Sequence, residues 1–374
     1  MKSLKRVWAA AQRPRSFPQK GKPMFLLEKH RSLPAYTPGD HEEGDGFIRL
    51  NTNESPYPPS PAVAAAIAGE VNKLGYYNDP DCAALRKALA GLYGVKPEQV
   101  TATNGSDELL YFAFIAFADE MHPIALPDIT YGYYDLFAAA QGIPLERIAL
   151  KDDFTIDYRD YLGIGKTVLF PNPNAPTGYA MPVWQVEEIA KSNPNNVVIV
   201  DEAYVDFGAE TCLPLIEKYP NVLIVRTFSK SRSMAGARLG YGFACESLMA
   251  EIETIRNAVN LYSVNRMTQA AGIAAVKEND YYMKNCQKII EAREYTTRML
   301  REQGFEVLDS LGNFVFAKPK AMAAGTLARE LRTRGILVRH WDKDKIREYL
   351  RITIGTMQEM QALECAIEMI FGRA

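Results

Sequence analysis

The stretch Val222-Leu223-Ile224-Val225-Arg226-Thr227-Phe228-Ser229-Lys230 decides how this chain is read. Its first four residues are all Val, Leu or Ile, the pattern of a strand covered on both faces. Its last two place a hydroxyl and an amine where that strand ends. Eight residues further on comes Arg238, in Ala235-Gly236-Ala237-Arg238-Leu239-Gly240. A lysine in this position suits Schiff-base chemistry with an aldehyde cofactor, provided burial or nearby cations lower its pKa. Ser229 and Arg238 suit that cofactor's phosphate. A Ser-Lys pair alone carries little weight, because most lysines are solvated surface charges, so the reading depends on the rest of the chain.

Two further apolar runs end in polar residues. Val197-Val198-Ile199-Val200 leads into Asp201-Glu202-Ala203-Tyr204, and Thr167-Val168-Leu169-Phe170 into Pro171-Asn172-Pro173-Asn174-Ala175-Pro176-Thr177-Gly178. With helical stretches between some of them, these runs predict a mostly parallel sheet. Ligands bind beyond the carboxyl ends of strands in such sheets, so an Asn-rich turn, Asp201 and Lys230 are expected on one rim. Taken alone, Asp201 is equally a helix cap or turn residue; beside Lys230 it reads as a ligand-facing carboxylate. Upstream, Thr103-Asn104-Gly105-Ser106-Asp107 precedes an apolar helix candidate at 108–117. Gly105 permits close backbone approach, and a helix start offers unpaired N–H groups and a positive dipole end, which together make a phosphate cradle. By itself this segment reads better as a plain N-cap by Ser106 or Asp107.

Other motifs follow in order through the chain. They are Leu33-Pro34-Ala35-Tyr36-Thr37-Pro38-Gly39, Leu50-Asn51-Thr52-Asn53-Glu54-Ser55-Pro56-Tyr57, Tyr77-Asn78-Asp79-Pro80, Thr130-Tyr131-Gly132-Tyr133, Asn313-Phe314-Val315-Phe316 and Leu350-Arg351-Ile352-Thr353-Ile354-Gly355-Thr356. On these motifs, over roughly residues 30 to 374, the chain resembles the fold type I pyridoxal-phosphate enzymes of the class I/II aminotransferase superfamily. Within that group it is most similar to the histidinol-phosphate aminotransferases.

The resemblance implies a role for each matching residue. Lys230 holds pyridoxal 5′-phosphate covalently, then serves as general base and acid. Asp201 pairs with the pyridine nitrogen and keeps it protonated, and the positive ring acts as the electron sink. Tyr204 hydrogen-bonds the cofactor's phenolic oxygen, and Tyr131 stacks on the ring. Backbone at Gly105, Ser106 and Asp107 holds the phosphate together with Ser229 and Arg238. Tyr77 reaches the cofactor of a neighbouring subunit, which implies a homodimer with composite active sites. One position departs from the pattern. The residue before Pro-Thr-Gly is usually an asparagine on the phenolic oxygen; here it is Ala175, and a one-residue shift of the turn would bring in Asn174 instead. Otherwise Tyr204 holds that oxygen alone.

The same resemblance implies that Arg351 clamps a carboxylate, for which a planar guanidinium is well matched. Arg339 becomes a second anion site, Tyr36 lies over the pocket from the N-terminal arm, and Asn53 belongs to the adjoining substrate segment. The small-molecule partners are an amino donor and a 2-oxo acid. Histidinol phosphate carries a phosphate and no carboxylate, whereas glutamate carries two carboxylates; two arginines serve both. The competing reading of Arg339 and Arg351 is as surface residues in ordinary ion pairs. Two rival activities keep the cofactor: a threonine-phosphate decarboxylase, which needs no keto acid, and an aromatic amino-acid aminotransferase. A regulator built on this fold would need an attached DNA-binding module of about 60 residues, which the 30 residues before the arm do not supply.

Composition agrees with an enzyme that acts on small molecules. The 374 residues carry a formal charge of -2, so there is no global nucleic-acid signature. The five cysteines are scattered and lack metal-ligand spacing, as are the four histidines, so no metal is expected and the thiols read as those of a cytoplasmic protein. No apolar run is long enough to span a membrane. Residues 1–23 hold seven basic residues and no acidic one. They lack a secretory core and read as a start codon set too early, a transit-like leader or a basic arm.

The expected fold is α/β: a three-layer sandwich around a mostly parallel sheet, with a small α+β domain. The expected segments are a basic extension at 1–29, an arm at 30–58 that joins the small domain, a large cofactor-binding domain at 59–266, and a linking helix with the small domain at 267–374. Leu239-Gly240-Tyr241-Gly242-Phe243-Ala244 reads as a further, antiparallel strand.

Overall fold

The computed structural model describes residues 46–372, together with 25–27, 30, 31 and 33. Tyr36 and the basic stretch 1–23 lie outside the described residues. Strand β1 (Ile48–Leu50) enters a smaller sheet taken up below. The larger sheet contains β2 (Val100–Thr103), β3 (Ile124–Pro127), β4 (Leu145–Ile148), β5 (Thr167–Pro171), β6 (Val198–Asp201), β7 (Val222–Thr227) and β8 (Gly240–Phe243). Its order is β2-β8-β7-β6-β5-β3-β4. Neighbours from β4 to β7 pair in parallel, while β8 runs antiparallel to both β2 and β7.

Successive side chains of the central strands point to opposite faces. Val198, Val200, Val222 and Ile224 enter one apolar cluster, and Ile199, Leu223 and Val225 enter the other. Helices cover both clusters, which is why these strands read as unbroken apolar runs. On the first face lie α1 (Pro61–Glu70), α2 (Ala83–Tyr93), α5 (Val183–Ser192) and α7 (Arg266–Lys277). On the second lie α3 (Ser106–Phe117), α4 (Tyr133–Gln141) and α6 (Glu246–Val259). The result is a three-layer α/β sandwich.

The second sheet has the order β1-β11-β12-β10-β9, where β9 is Phe305–Val307, β10 Phe314–Pro319, β11 Ile336–His340 and β12 Leu350–Thr353. β1 pairs in parallel with β11, so the segment before the large sheet completes a sheet otherwise built from the last third of the chain. Its core includes Phe314, Leu331, Ile352 and Leu363, packed under α8 (Asn279–Glu302), α9 (Ala324–Thr333) and α10 (Met357–Phe371). A capping box starts α10: the Thr356 hydroxyl accepts from the Glu359 amide, and the Glu359 carboxylate accepts from the Thr356 amide.

Candidate active site

The register pairs Pro171 with Asp201 and Asp201 with Val225, so the carboxyl ends of β5, β6 and β7 form one rim. Asp201 is the last residue of β6 and is almost fully buried. The Tyr134 hydroxyl donates to its Oδ2 at 2.7 Å, and the Ala203 amide to its Oδ1 at 3.1 Å. Burial pushes its carboxyl up to about 6, against these hydrogen bonds. Among the described residues, the groups bonded to this carboxylate are a phenol and an amide, neither of which carries the positive charge that would hold it ionised.

Lys230 follows β7 after a two-residue turn. Its ammonium donates to the Thr52 carbonyl at 3.3 Å and lies 5.9 Å from the centre of the Tyr204 ring. Burial first, and Arg351 second, bring its pKa down to about 8. The Tyr204 phenol is buried and accepts from Asn53 Nδ2 at 3.0 Å. Burial raises its pKa. Asn53 joins the two sheets. Its backbone sits in the left-handed region at φ 54°, which asparagine tolerates better than most residues. Its amide donates to Thr353 Oγ1, its Oδ1 accepts from the same hydroxyl, and its carbonyl accepts from Asn313 Nδ2. Predicted as a substrate contact, Asn53 is found holding Tyr204 in place.

A third group of residues forms a cradle. Gly105 caps α3 at φ +83°, and the Arg238 guanidinium lies against it: a Cβ built at Gly105 would come 2.7 Å from Nη2. Gly240, at the start of β8, passes so close to the helix start that a Cβ there would sit 2.2 Å from the Ser106 nitrogen. These two glycines let Arg238 and the first turn of α3 converge, with Arg238 Nη2 on Asp107 Oδ2 at 2.9 Å. The Ser229 oxygen accepts from Thr227 Oγ1 at 3.0 Å, which leaves its own O–H to donate. A helix N-terminus, a hydroxyl and a guanidinium together suit a phosphate dianion. Tyr131 links this cradle to the carboxylate. Its hydroxyl donates to Asp107 Oδ1 at 3.1 Å, and its ring packs edge-on against Tyr134 at 5.4 Å.

Asn174 and Tyr77 make contacts apart from these three groups. Asn174 is fully buried in its turn, and both Nδ2 hydrogens are already donated, to the Ile129 carbonyl at 3.0 Å and to Thr177 Oγ1 at 3.1 Å. It has no hydrogen to offer a ligand oxygen, so the expected one-residue shift does not supply a donor. Ala175 instead joins the apolar cluster of Tyr204, Phe207 and Phe314. Tyr77 is 82 % exposed, with its ring 4.9 Å from that of Tyr262.

Arg339 and Arg351 face one another as partners across β11 and β12. Arg351 Nη2 donates to the Asn51 carbonyl at 2.8 Å, and its guanidinium lies over the Phe314 ring at 5.6 Å. The indole of Trp341 receives both guanidiniums, Arg339 at 5.2 Å and Arg351 at 5.3 Å. Sequence reasoning missed Trp341 and Tyr134. Trp341 lies one residue past the end of β11, where strand alternation no longer fixes its side, so the sequence carried no signal for it. Tyr134 offered none beyond its place in a tyrosine-rich helix start.

The arrangement offers an amine of lowered pKa, a buried carboxylate without a cation, an anion cradle and two arginines. Among the described residues, no cluster of His, Cys, Asp or Glu could hold a metal ion, and no helix is long and apolar enough to cross a membrane. Residues 45–367 match the family "Aminotransferase class I and II". A histidinol-phosphate aminotransferase 1 of Hydrogenovibrio crunogenus is 44% identical over 329 residues, 88% of this chain and 92% of that protein. A histidinol-phosphate aminotransferase of Brachyspira hyodysenteriae is 44% identical over 90% of this chain and 96% of its own length. Among solved structures, the histidinol-phosphate aminotransferase of Sinorhizobium meliloti, in complex with pyridoxal-5′-phosphate, is 28% identical. It superposes with a TM-score of 0.79 over 87% of this chain and 90% of its own. The architecture is therefore that of the fold type I enzymes, and the chain belongs to the aminotransferase class I and II family.

Proposed function

We propose that this aminotransferase moves the amino group of histidinol phosphate to 2-oxoglutarate, with pyridoxal 5′-phosphate as its cofactor. The observation that carries the substrate reading is the pair Arg339 and Arg351, set opposite each other on adjacent strands. One donor with a phosphate and one acceptor with two carboxylates both need such a pair. The names of the relatives at 44% identity support it.

The cofactor's groups match what the residues offer. Its phosphate suits the backbone of Gly105, Ser106 and Asp107 with the Ser229 hydroxyl and Arg238. Its cationic ring N–H supplies the partner that Asp201 lacks. Tyr131, bonded to Asp107, would pack on the ring. When bound, pyridoxal phosphate supplies the electron sink that lets a proton leave the substrate's Cα. Lys230 Nζ takes that proton and returns it, and the Tyr204 O–H, held by Asn53, serves the phenolic oxygen without help from an asparagine at 175. We assign the arm to 30–58, the large domain to 59–266 and the linking helix with the small domain to 267–374, with the site in the cleft between them.

The test is a half-reaction screen on the loaded protein, following the cofactor's visible band. Histidinol phosphate should bleach the band rapidly, and 2-oxoglutarate should restore it. Fast bleaching by phenylalanine alone would favour the aromatic aminotransferases. Carbon dioxide release from O-phosphothreonine would favour the decarboxylase.

We further infer a homodimer in which Tyr77 serves the partner's site. The support is the exposed apolar surface of Leu74, Tyr76, Tyr77, Val259 and Tyr262 around that residue, large for a face left in water. Sedimentation at micromolar concentration should give twice the chain mass, and Tyr77→Phe should weaken cofactor retention. A fully active monomer would exclude the idea. A cytoplasmic location is the reading that suits five cysteines without a disulfide. Activity confined to the membrane or secreted fraction of the host would contradict it.

A further inference from the structure

Arg339 and Arg351 pose an electrostatic problem that the fold has to solve. They are Cα partners on antiparallel strands, where like charges directly opposite repel. Two-point anion binding requires each long side chain to keep its geometry all the same. Trp341 follows Arg339 by two residues, just past the end of β11. Its ring lies 5.2 Å from one guanidinium and 5.3 Å from the other. The electron-rich faces of an indole attract both cations, so one ring serves as a common counterpart to two like charges.

The indole is itself anchored. It packs, half-buried, against an apolar cluster that includes Phe316, Ile346 and Tyr349. The loop that carries it is fastened at two points beyond: Lys345 Nζ meets Asp128 Oδ2 at 2.6 Å, and the Tyr349 ring stacks on Phe316 at 4.7 Å. The arginines belong to the small sheet, and the loop that carries their shared aromatic partner reaches Asp128, just past β3 of the large one.

We propose that Trp341 is a specificity-determining positioning residue: its indole holds Arg339 and Arg351 at the separation that doubly anionic substrates require. This rests on the two-anion reading of the pocket given above. It predicts that Trp341 acts on substrate binding rather than on the proton transfers at Lys230.

The test compares Trp341→Leu, which keeps apolar packing and loses the π-face, with Trp341→Phe, which keeps a π-face. In Trp341→Leu, KM for both the amino donor and the 2-oxo acid should rise about tenfold or more. Its kcat should stay within about threefold and its cofactor band should be unaltered. Trp341→Phe should recover most of the loss. A second readout does not depend on turnover. The chain has three tryptophans, so replacing Trp8 and Trp184 by Phe leaves Trp341 as the only indole fluorophore. Titrating that loaded protein with inorganic phosphate or with glutarate should change its emission saturably, and Arg339→Gln should weaken the response. A response to glutarate alone supports the role of the indole and overturns the phosphate-donor reading instead. No response to either anion, or unchanged KM values in Trp341→Leu, overturns the proposal.

Discussion

Lys230→Ala should lower kcat by about a thousandfold or more, the scale of losing both a nucleophile and a general base, while leaving a protein that still takes up cofactor. The argument starts from position. Lys230 lies just beyond a strand with both faces buried, and its amine reaches the Thr52 carbonyl from beneath Tyr204. Burial and Arg351 bring its pKa from 10.5 to about 8. At neutral pH that leaves roughly a tenth of the amine unprotonated, about 300 times the fraction of an ordinary lysine. The sign is testable in the cofactor-free protein. A lowered pKa means the reactive neutral form accumulates as pH rises through about 8, so the rate of covalent cofactor capture should rise across that range and then level off. In the alanine variant, Asp201, Arg238 and the start of α3 remain, so cofactor should bind without a covalent link. Borohydride reduction followed by mass measurement distinguishes the two: the parent gains the cofactor's mass and the variant does not. Turnover by the variant within tenfold of the parent would remove Lys230 from the mechanism.

Much of this site was legible because it is written in local pattern. The apolar runs ending at Pro171, Asp201 and Lys230 required only the rule that parallel strands are covered on both faces, and the structure sets them side by side in register. The antiparallel strand Gly240–Phe243 was legible too, and the structure adds why its first residue is glycine: only there does β8 graze the Ser106 nitrogen. What escaped was everything decided by contacts between distant parts of the chain. Asn53 meets Thr353 across 300 residues and Tyr204 across 151, and no periodicity reports such a meeting. Tyr134 matters only because its hydroxyl falls on Asp201, 67 residues away. The state of Asn174 was hidden for another reason. Sequence shows that an amide is nearby, whereas whether its hydrogens are already donated is a property of the folded turn. Trp341 belongs with the distant contacts: it lies just past β11, and its meeting with Arg351 could not be read.

Asp201→Asn should lower kcat by about a hundred- to a thousandfold, yet make the cofactor-free protein more stable. The carboxylate is buried and its partners are the Tyr134 hydroxyl and the Ala203 amide. Its folded pKa of about 6 lies above the ordinary 3.8, so the folded state binds the proton more tightly than the unfolded chain. Stability from this group is therefore fully present below about 4 and is lost as pH rises through about 6. At neutral pH the buried charge costs on the order of 3 kcal/mol. Asparagine is neutral throughout. Its Oδ1 can still accept from the Ala203 amide, and the Tyr134 hydroxyl can turn to accept from its Nδ2. The melting temperature of cofactor-free Asp201→Asn should thus exceed that of the parent at pH 7, and the gap should close as pH falls toward 4. With cofactor the order should reverse in function: the asparagine offers no negative charge to a cationic ring nitrogen, so cofactor is held more weakly and the half-reaction slows even at saturating amino substrate. A variant that is both less stable without cofactor and within tenfold of parent activity would show that Asp201 is a structural turn residue. The opposite pair of results would show a charge kept in the core at a cost to stability because the chemistry needs it there, the kind of local conflict expected at a functional site.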